Sequence, residues 1–204
     1  MTYRTLALAL VLAVAIAPLG LTQDEATQVE WPAIGATAPD FELPNILAED
    51  GSPVSLSGSL EDNDFAVVIW NSVTCPMCVP YEAILPGLVA EWSGKSIAFI
   101  GVNSNVTESN DQVAAQLQEA GFNYPVLRDE GAAVADQYGA TVTPEVYIID
   151  SDMKLLYHGR INDNQRAPQD AESHDLINAL QALTEGQAPP VAETVARGCT
   201  IKRS

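Results

Sequence analysis

Phe65-Ala-Val-Val-Ile-Trp-Asn-Ser-Val-Thr-Cys75-Pro-Met-Cys78 is the stretch on which the reading of this chain turns. Its first six residues are apolar and rich in β-branched side chains, the composition of a buried central strand. Two cysteines follow with two residues between them, and Pro80 fits the first turn of a helix that opens there. Such a pair can close into a small disulfide ring or clamp a metal. At a helix start the N–H groups point outward and the dipole favours an anion, so the first cysteine's thiolate is stabilised. The thiolate is the species that attacks disulfides. Strand, turn and CxxC in this order therefore point to redox chemistry at Cys75 and Cys78.

Working outward, the apolar residues Ile84, Leu85, Leu88 and Val89 recur at helical spacing and predict a helix over 78–92, kinked at Pro86. Residues 96–102 read as a second buried strand. Ser109 precedes a helix through Ala120 that ends at Gly121. Residues 124–127 are short and strand-like, and 131–138 form a helix stopped by Gly139. Residues 146–149 and 155–158 flank Asp150-Ser-Asp152 and read as a hairpin, before a last helix over 174–184. Upstream, residues 34–44 are extended because two prolines bias their predecessors away from helix. Residues 49–53 form a turn, Val54 and Leu56 alternate as a short strand, and 61–64 are a polar loop. Strands alternate with helices, two strands pair by a tight turn, and a helix closes the order. That order predicts an α/β fold with a mixed central sheet and helices on both faces.

The N-terminus reads differently. Arg4 precedes an unbroken apolar run over 6–17, too short for a comfortable membrane span, and polar acidic sequence begins at Gln23. Residues 1–22 are read as a secretory signal peptide, 23–33 as a flexible lead-in and 34–204 as one domain with a C-terminal tail. The protein is thus expected in the periplasm or another extracytoplasmic space. There a CxxC needs a dedicated partner to stay reduced. The net charge is −18, and an acidic excess of that size argues against nucleic acid and anionic membranes as partners. The third cysteine, Cys199, makes the count odd, which leaves one thiol free or pairing in more than one way.

The second informative motif is Ala140-Thr-Val-Thr143-Pro144-Glu-Val-Tyr-Ile. A proline entering a strand belongs at an edge or a tight turn. A cis bond there turns the Thr143 backbone outward, free to pair with an extended substrate.

A CxxC after a buried strand, a Thr-Pro before a hairpin and a closing helix resemble the thioredoxin superfamily. Ile34-Gly-Ala-Thr-Ala-Pro-Asp-Phe-Glu-Leu43 and Gly101-Val-Asn-Ser-Asn105 are similar to its redoxin branch, which holds alkyl hydroperoxide reductase/thiol-specific antioxidant proteins and exported thiol–disulfide oxidoreductases. Thr143-Pro144-Glu145, Tyr157-His-Gly-Arg-Ile-Asn162 and Glu193-Thr-Val-Ala-Arg-Gly-Cys-Thr-Ile-Lys202 resemble a bacterial redoxin subgroup with this tail. The resemblance implies a thioredoxin-like fold and no cofactor. It implies that Cys75 is the exposed attacking cysteine, Cys78 the buried resolving one and Pro144 a cis-proline facing the pair. The Thr143 backbone would bind substrate, with Pro76 and Met77 beside it. Protein or small-molecule thiols and disulfides would be the partners, together with an unidentified redox partner.

Several residues depart from the family pattern. Thr74 stands where thioredoxins have an aromatic, and Trp70 lies one residue upstream of the usual tryptophan. Val67, Val68 and Ile69 leave no buried acid in the strand, so Glu82 and Glu145 are the candidate proton acceptors for Cys78. Two other chemistries stay open. Ser72, three positions before Cys75, with Arg128 or Arg160, would suit a peroxidase, although Val68 replaces the proline expected seven positions before Cys75. Cys75, Cys78 and Cys199 with His158 or His174 would suit zinc or copper(I). Cys199 itself is a third redox thiol, a buried inert cysteine or a partner for an external thiol. The residues after it read as a short ordered strand.

Overall fold

The computed structural model describes residues 32–203; residues 1–22, read in the sequence as a signal peptide, and all but the last two of residues 23–33, read as a lead-in, lie outside the described residues. The apolar run is strand β3 (Phe65–Trp70), the centre of a five-stranded sheet. It pairs in parallel with β4 (Ile97–Asn103), which pairs in parallel with β5 (Val126–Arg128). On its other side it pairs antiparallel with β7 (Glu145–Asp150), which forms a hairpin with β8 (Leu155–Gly159). The order across the sheet is β5-β4-β3-β7-β8, the mixed sheet that the element order predicts.

Alternation along β3 sorts its side chains to two cores. Val67 and Ile69 face helices α3 (Leu85–Trp92), α4 (Asn110–Glu119) and α6 (Asp175–Thr184), meeting Leu88, Val113, Leu117 and Leu180. Ala66, Val68 and Trp70 face α1 (Leu56–Leu60) and α5 (Ala133–Tyr138). Trp70 is fully buried between Tyr138 and Tyr147, with ring centroids 5.2 and 5.0 Å away. Truncating such an aromatic costs about 3–5 kcal/mol. Helices therefore cover both faces.

Two local expectations are corrected. Leu56 does not continue a strand. The strand β2 is Pro53–Ser55, paired with β1 (Glu42–Pro44), and Ser55 then caps α1 by accepting from the Gly58 N–H at 3.0 Å. A five-residue helix containing glycine and two serines has too little periodicity to be seen in sequence. The helix predicted over 78–92 is two helices, α2 (Val79–Glu82) and α3. Pro86 has no N–H to give Glu82, and its ring crowds that carbonyl, so the break falls just ahead of it.

The tail is ordered. Cys199–Thr200 is strand β9, antiparallel to β6 (Val142–Thr143), with Thr143 opposite Cys199.

Candidate active site

The C-terminal end of β3 delivers the chain into a turn held from beneath by Glu108. This carboxylate is buried and accepts from the Ser72 hydroxyl at 2.6 Å, the Thr74 N–H at 2.9 Å, the Thr74 hydroxyl and the Asn103 amide. Burial pushes its pKa up, but the donors from Ser72, Thr74 and Asn103 outweigh burial and hold it below the ordinary carboxylate value. Arg128 donates in turn to Asn103. Sequence reasoning missed Glu108. It lies 33 residues after Cys75 in a loop, and nothing local distinguishes it from the other acids of a strongly acidic chain.

Cys75 lies in the turn itself, and α2 begins only at Val79, with Cys78 as its N-cap. The Cys78 N–H and the Val79 N–H both donate to the Cys75 carbonyl, at 2.8 and 3.1 Å. A helix of one turn has a weak dipole, so the expected cause of thiolate stabilisation is replaced by a nearer one. A hydrogen bond from the Cys78 thiol is the largest influence on Cys75. Against burial, and with Cys199, Thr143 and the Met77 N–H, it lowers the pKa to about 4. Burial, then the neighbouring Cys75 sulfur, drives the Cys78 thiol strongly upward. Two adjacent thiols are thus split into one anion and one donor, and all three cysteines are free.

Cys75 is 2% exposed, as is Cys78. The expectation of an exposed attacking cysteine is therefore corrected. Its Sγ lies 3.2 Å from the Thr143 carbonyl oxygen, which accepts from it when the thiol is protonated. Thr143 is joined to Pro144 by a cis peptide bond. Pro76 is exposed and Met77 half-buried in the turn between the cysteines.

The remaining sequence candidates disperse. Trp70 is in the core, and its indole N–H donates to Ser104 at 3.1 Å. Glu145 is buried and fully engaged. One oxygen accepts from the Thr141 and Val142 N–H groups, and the other pairs with His158 Nε2 at 2.7 Å and the Tyr147 hydroxyl. It anchors the segment that enters β6. Glu82 is half-buried, one turn after Cys78, and accepts from Gln116 at 2.7 Å; burial raises its pKa. Arg160 pairs with Asp175 at 2.7 Å. His158 turns to Glu145, and His174 precedes α6 as its N-cap. Among the described residues, no group of three His, Cys, Asp or Glu side chains is arranged to hold a metal ion. Cys199 does join the pair, with its side chain against Cys75.

The sequence profile of the Redoxin family matches residues 33–176. No curated protein matches the chain. Among solved structures, an uncharacterized conserved protein from Geobacillus kaustophilus is 29% identical with a TM-score of 0.78, covering 86% of this chain and 94% of its own. A hypothetical protein from Sinorhizobium meliloti is 28% identical with a TM-score of 0.76, covering 84% and 95%. A peroxidoxin from Mycobacterium tuberculosis is 26% identical with a TM-score of 0.56, covering 68% and 92%. The sheet and its helices are thioredoxin-like, and the chemistry is that of a thiol redox protein, of oxidoreductase or peroxidase kind.

Proposed function

The chain belongs to the Redoxin family, and from that premise we propose that it is an exported thiol–disulfide oxidoreductase working through Cys75 and Cys78. One observation carries the reading: the contact between two thiols whose proton affinities are pushed in opposite directions. Cys75 is an anion across the neutral range, and Cys78 holds its proton until it is needed. The Cys75 thiolate attacks one sulfur of a substrate disulfide, forms a mixed disulfide and expels the other sulfur as a thiolate. Cys78 then attacks the Cys75 sulfur, its proton passes to a departing thiolate, and the second substrate thiol leaves. One substrate disulfide becomes two thiols while Cys75 and Cys78 become a disulfide. Glu82, raised by burial and one turn from Cys78, is the proposed relay for that proton. The backbone of Thr143, with Pro144, Pro76 and Met77, would form the surface against which a substrate lies. The apolar run over 6–17 supports export.

The test is stoichiometric. Reduced protein mixed with a disulfide-bonded peptide should release two peptide thiols for each Cys75–Cys78 disulfide formed. Cys75→Ser should release none. Undiminished exchange by Cys75→Ser would remove the reading. Rapid hydrogen peroxide consumption with no transfer to disulfides would replace it with a peroxidase.

A further inference from the structure

The tail lies beyond the residues matched by the Redoxin profile, yet it is strapped to the site from both ends. On one side of Cys199, the Thr194 N–H donates to the His158 carbonyl at 2.9 Å, and the Thr194 hydroxyl accepts from the Arg160 N–H at 3.0 Å. On the other, the Ile201 N–H donates to the Thr141 carbonyl at 3.0 Å, and Ile201 is buried in the core with Tyr138. The Lys202 N–H donates to Asn105 at 2.6 Å, and Arg203 pairs with Asp136 at 2.7 Å.

Glycines make the approach possible at both straps. A Cβ at Gly159 would lie 2.1 Å from the Thr194 hydroxyl oxygen, and one at Gly198 would lie 1.9 Å from the Thr143 carbonyl oxygen. No other residue fits either place. The tail therefore occupies the Thr143 edge as an antiparallel strand, with Cys199 directly opposite Thr143. The Met77 backbone N–H favours the thiolate form of both Cys75 and Cys199.

From this juxtaposition we propose that Cys199 is a third redox thiol, carried on a built-in substrate strand that exchanges disulfides with Cys75. The inference rests on the proposed reaction of Cys75 and extends it to a second resolving thiol. Two balanced steps follow. In the oxidised protein, Cys199 attacks the Cys75 sulfur of the Cys75–Cys78 disulfide. A Cys75–Cys199 bond forms, the Cys75–Cys78 bond breaks, and the Cys199 proton passes to Cys78. In a mixed disulfide, Cys199 attacks the same sulfur and expels the substrate thiol. Neither step needs an outside oxidant beyond the disulfide already reduced. The docked strand also accounts for the burial of Cys75, so an extended protein substrate must displace β9 to reach the Thr143 edge.

The test uses Cys78→Ser, with Cys78→Ala as a second form should the serine disturb the core, and oxidised glutathione as the disulfide. Cys75 should first carry glutathione. The adduct should then be lost as a Cys75–Cys199 disulfide appears in unreduced peptide maps. Cys78→Ser/Cys199→Ser should keep the adduct. An adduct that persists on Cys75 in the single variant, with Cys199 still open to alkylation, would overturn the third thiol and leave the exchange reading intact. Failure of Cys75 to take up glutathione in any variant would overturn the exchange reading, and this inference with it.

Discussion

The turn at 75–78 and the tail at 198–202 meet on one sulfur from opposite sides, and they are held in different ways. The turn is set by a buried anion: Glu108 gathers Ser72, Thr74 and Asn103, and the thiol pair sits directly above. The tail is set by backbone pairing and by one glycine pressed onto the Thr143 carbonyl. The first arrangement supplies the largest part of what makes the sulfur an anion, the Cys78 thiol, to which Cys199 on the tail adds a smaller part. The second decides what can reach it. Most of the reactivity and the access are thus supplied by parts of the chain more than a hundred residues apart.

The most damaging change is Cys75→Ser, which should reduce disulfide exchange to background while leaving the fold, as read by a peptide-thiol release assay with circular dichroism alongside. Next in size is the pH dependence. With Cys75 at about 4, against about 8.5 for a free thiol, alkylation of the reduced protein should keep its rate down to about pH 4 and label Cys75 before Cys78. The same lowered value means that the Cys75 thiolate stabilises the reduced fold fully above about pH 8.5, and that this stabilisation fades as pH falls toward 4. A midpoint near that of a free thiol would break the division between the turn and the tail, because the turn would then confer no reactivity.

Glu108→Ala strikes the turn alone. It leaves the buried donors of Ser72, Thr74 and Asn103 without an acceptor, and denaturant unfolding should show a loss of about 3 kcal/mol. A loss near zero would mean that the anion does not hold the turn. Gly198→Ala strikes the tail alone. The new methyl group must push β9 off Thr143, at about 1–3 kcal/mol, and Cys75 should alkylate faster at neutral pH, while its pH midpoint rises only part of the way towards a free thiol because Cys199 contributes less than Cys78. A midpoint moved all the way to that of a free thiol would show that the tail, rather than the turn, makes the anion. Smallest is Arg203→Ala. Its ion pair with Asp136 is at the surface, so the loss should stay under about 1 kcal/mol, read by the same unfolding curve.

The sequence by itself determined the strands of the central sheet, most helices and the position of the thiol pair. Those features are local: β-branched runs, 3.6-residue spacing, caps and the CxxC are written in neighbouring residues. It also marked Thr143-Pro144, because proline at a strand entrance has few roles. What it left undecided depends on residues distant in the chain. Glu108 is one acid among many until β3 and β4 bring its loop under Cys75. Glu145 and Glu82 looked equivalent, and only the hairpin, by placing His158 beside Glu145, separated them. The chemical cause of the Cys75 thiolate shifted from helix dipole to thiol contact because Pro86 cut the expected helix short. Cys199 had three readings on paper. Strand pairing across 56 residues put it opposite Thr143, with its side chain interacting with Cys75, a relation set by tertiary hydrogen bonds that no local pattern encodes.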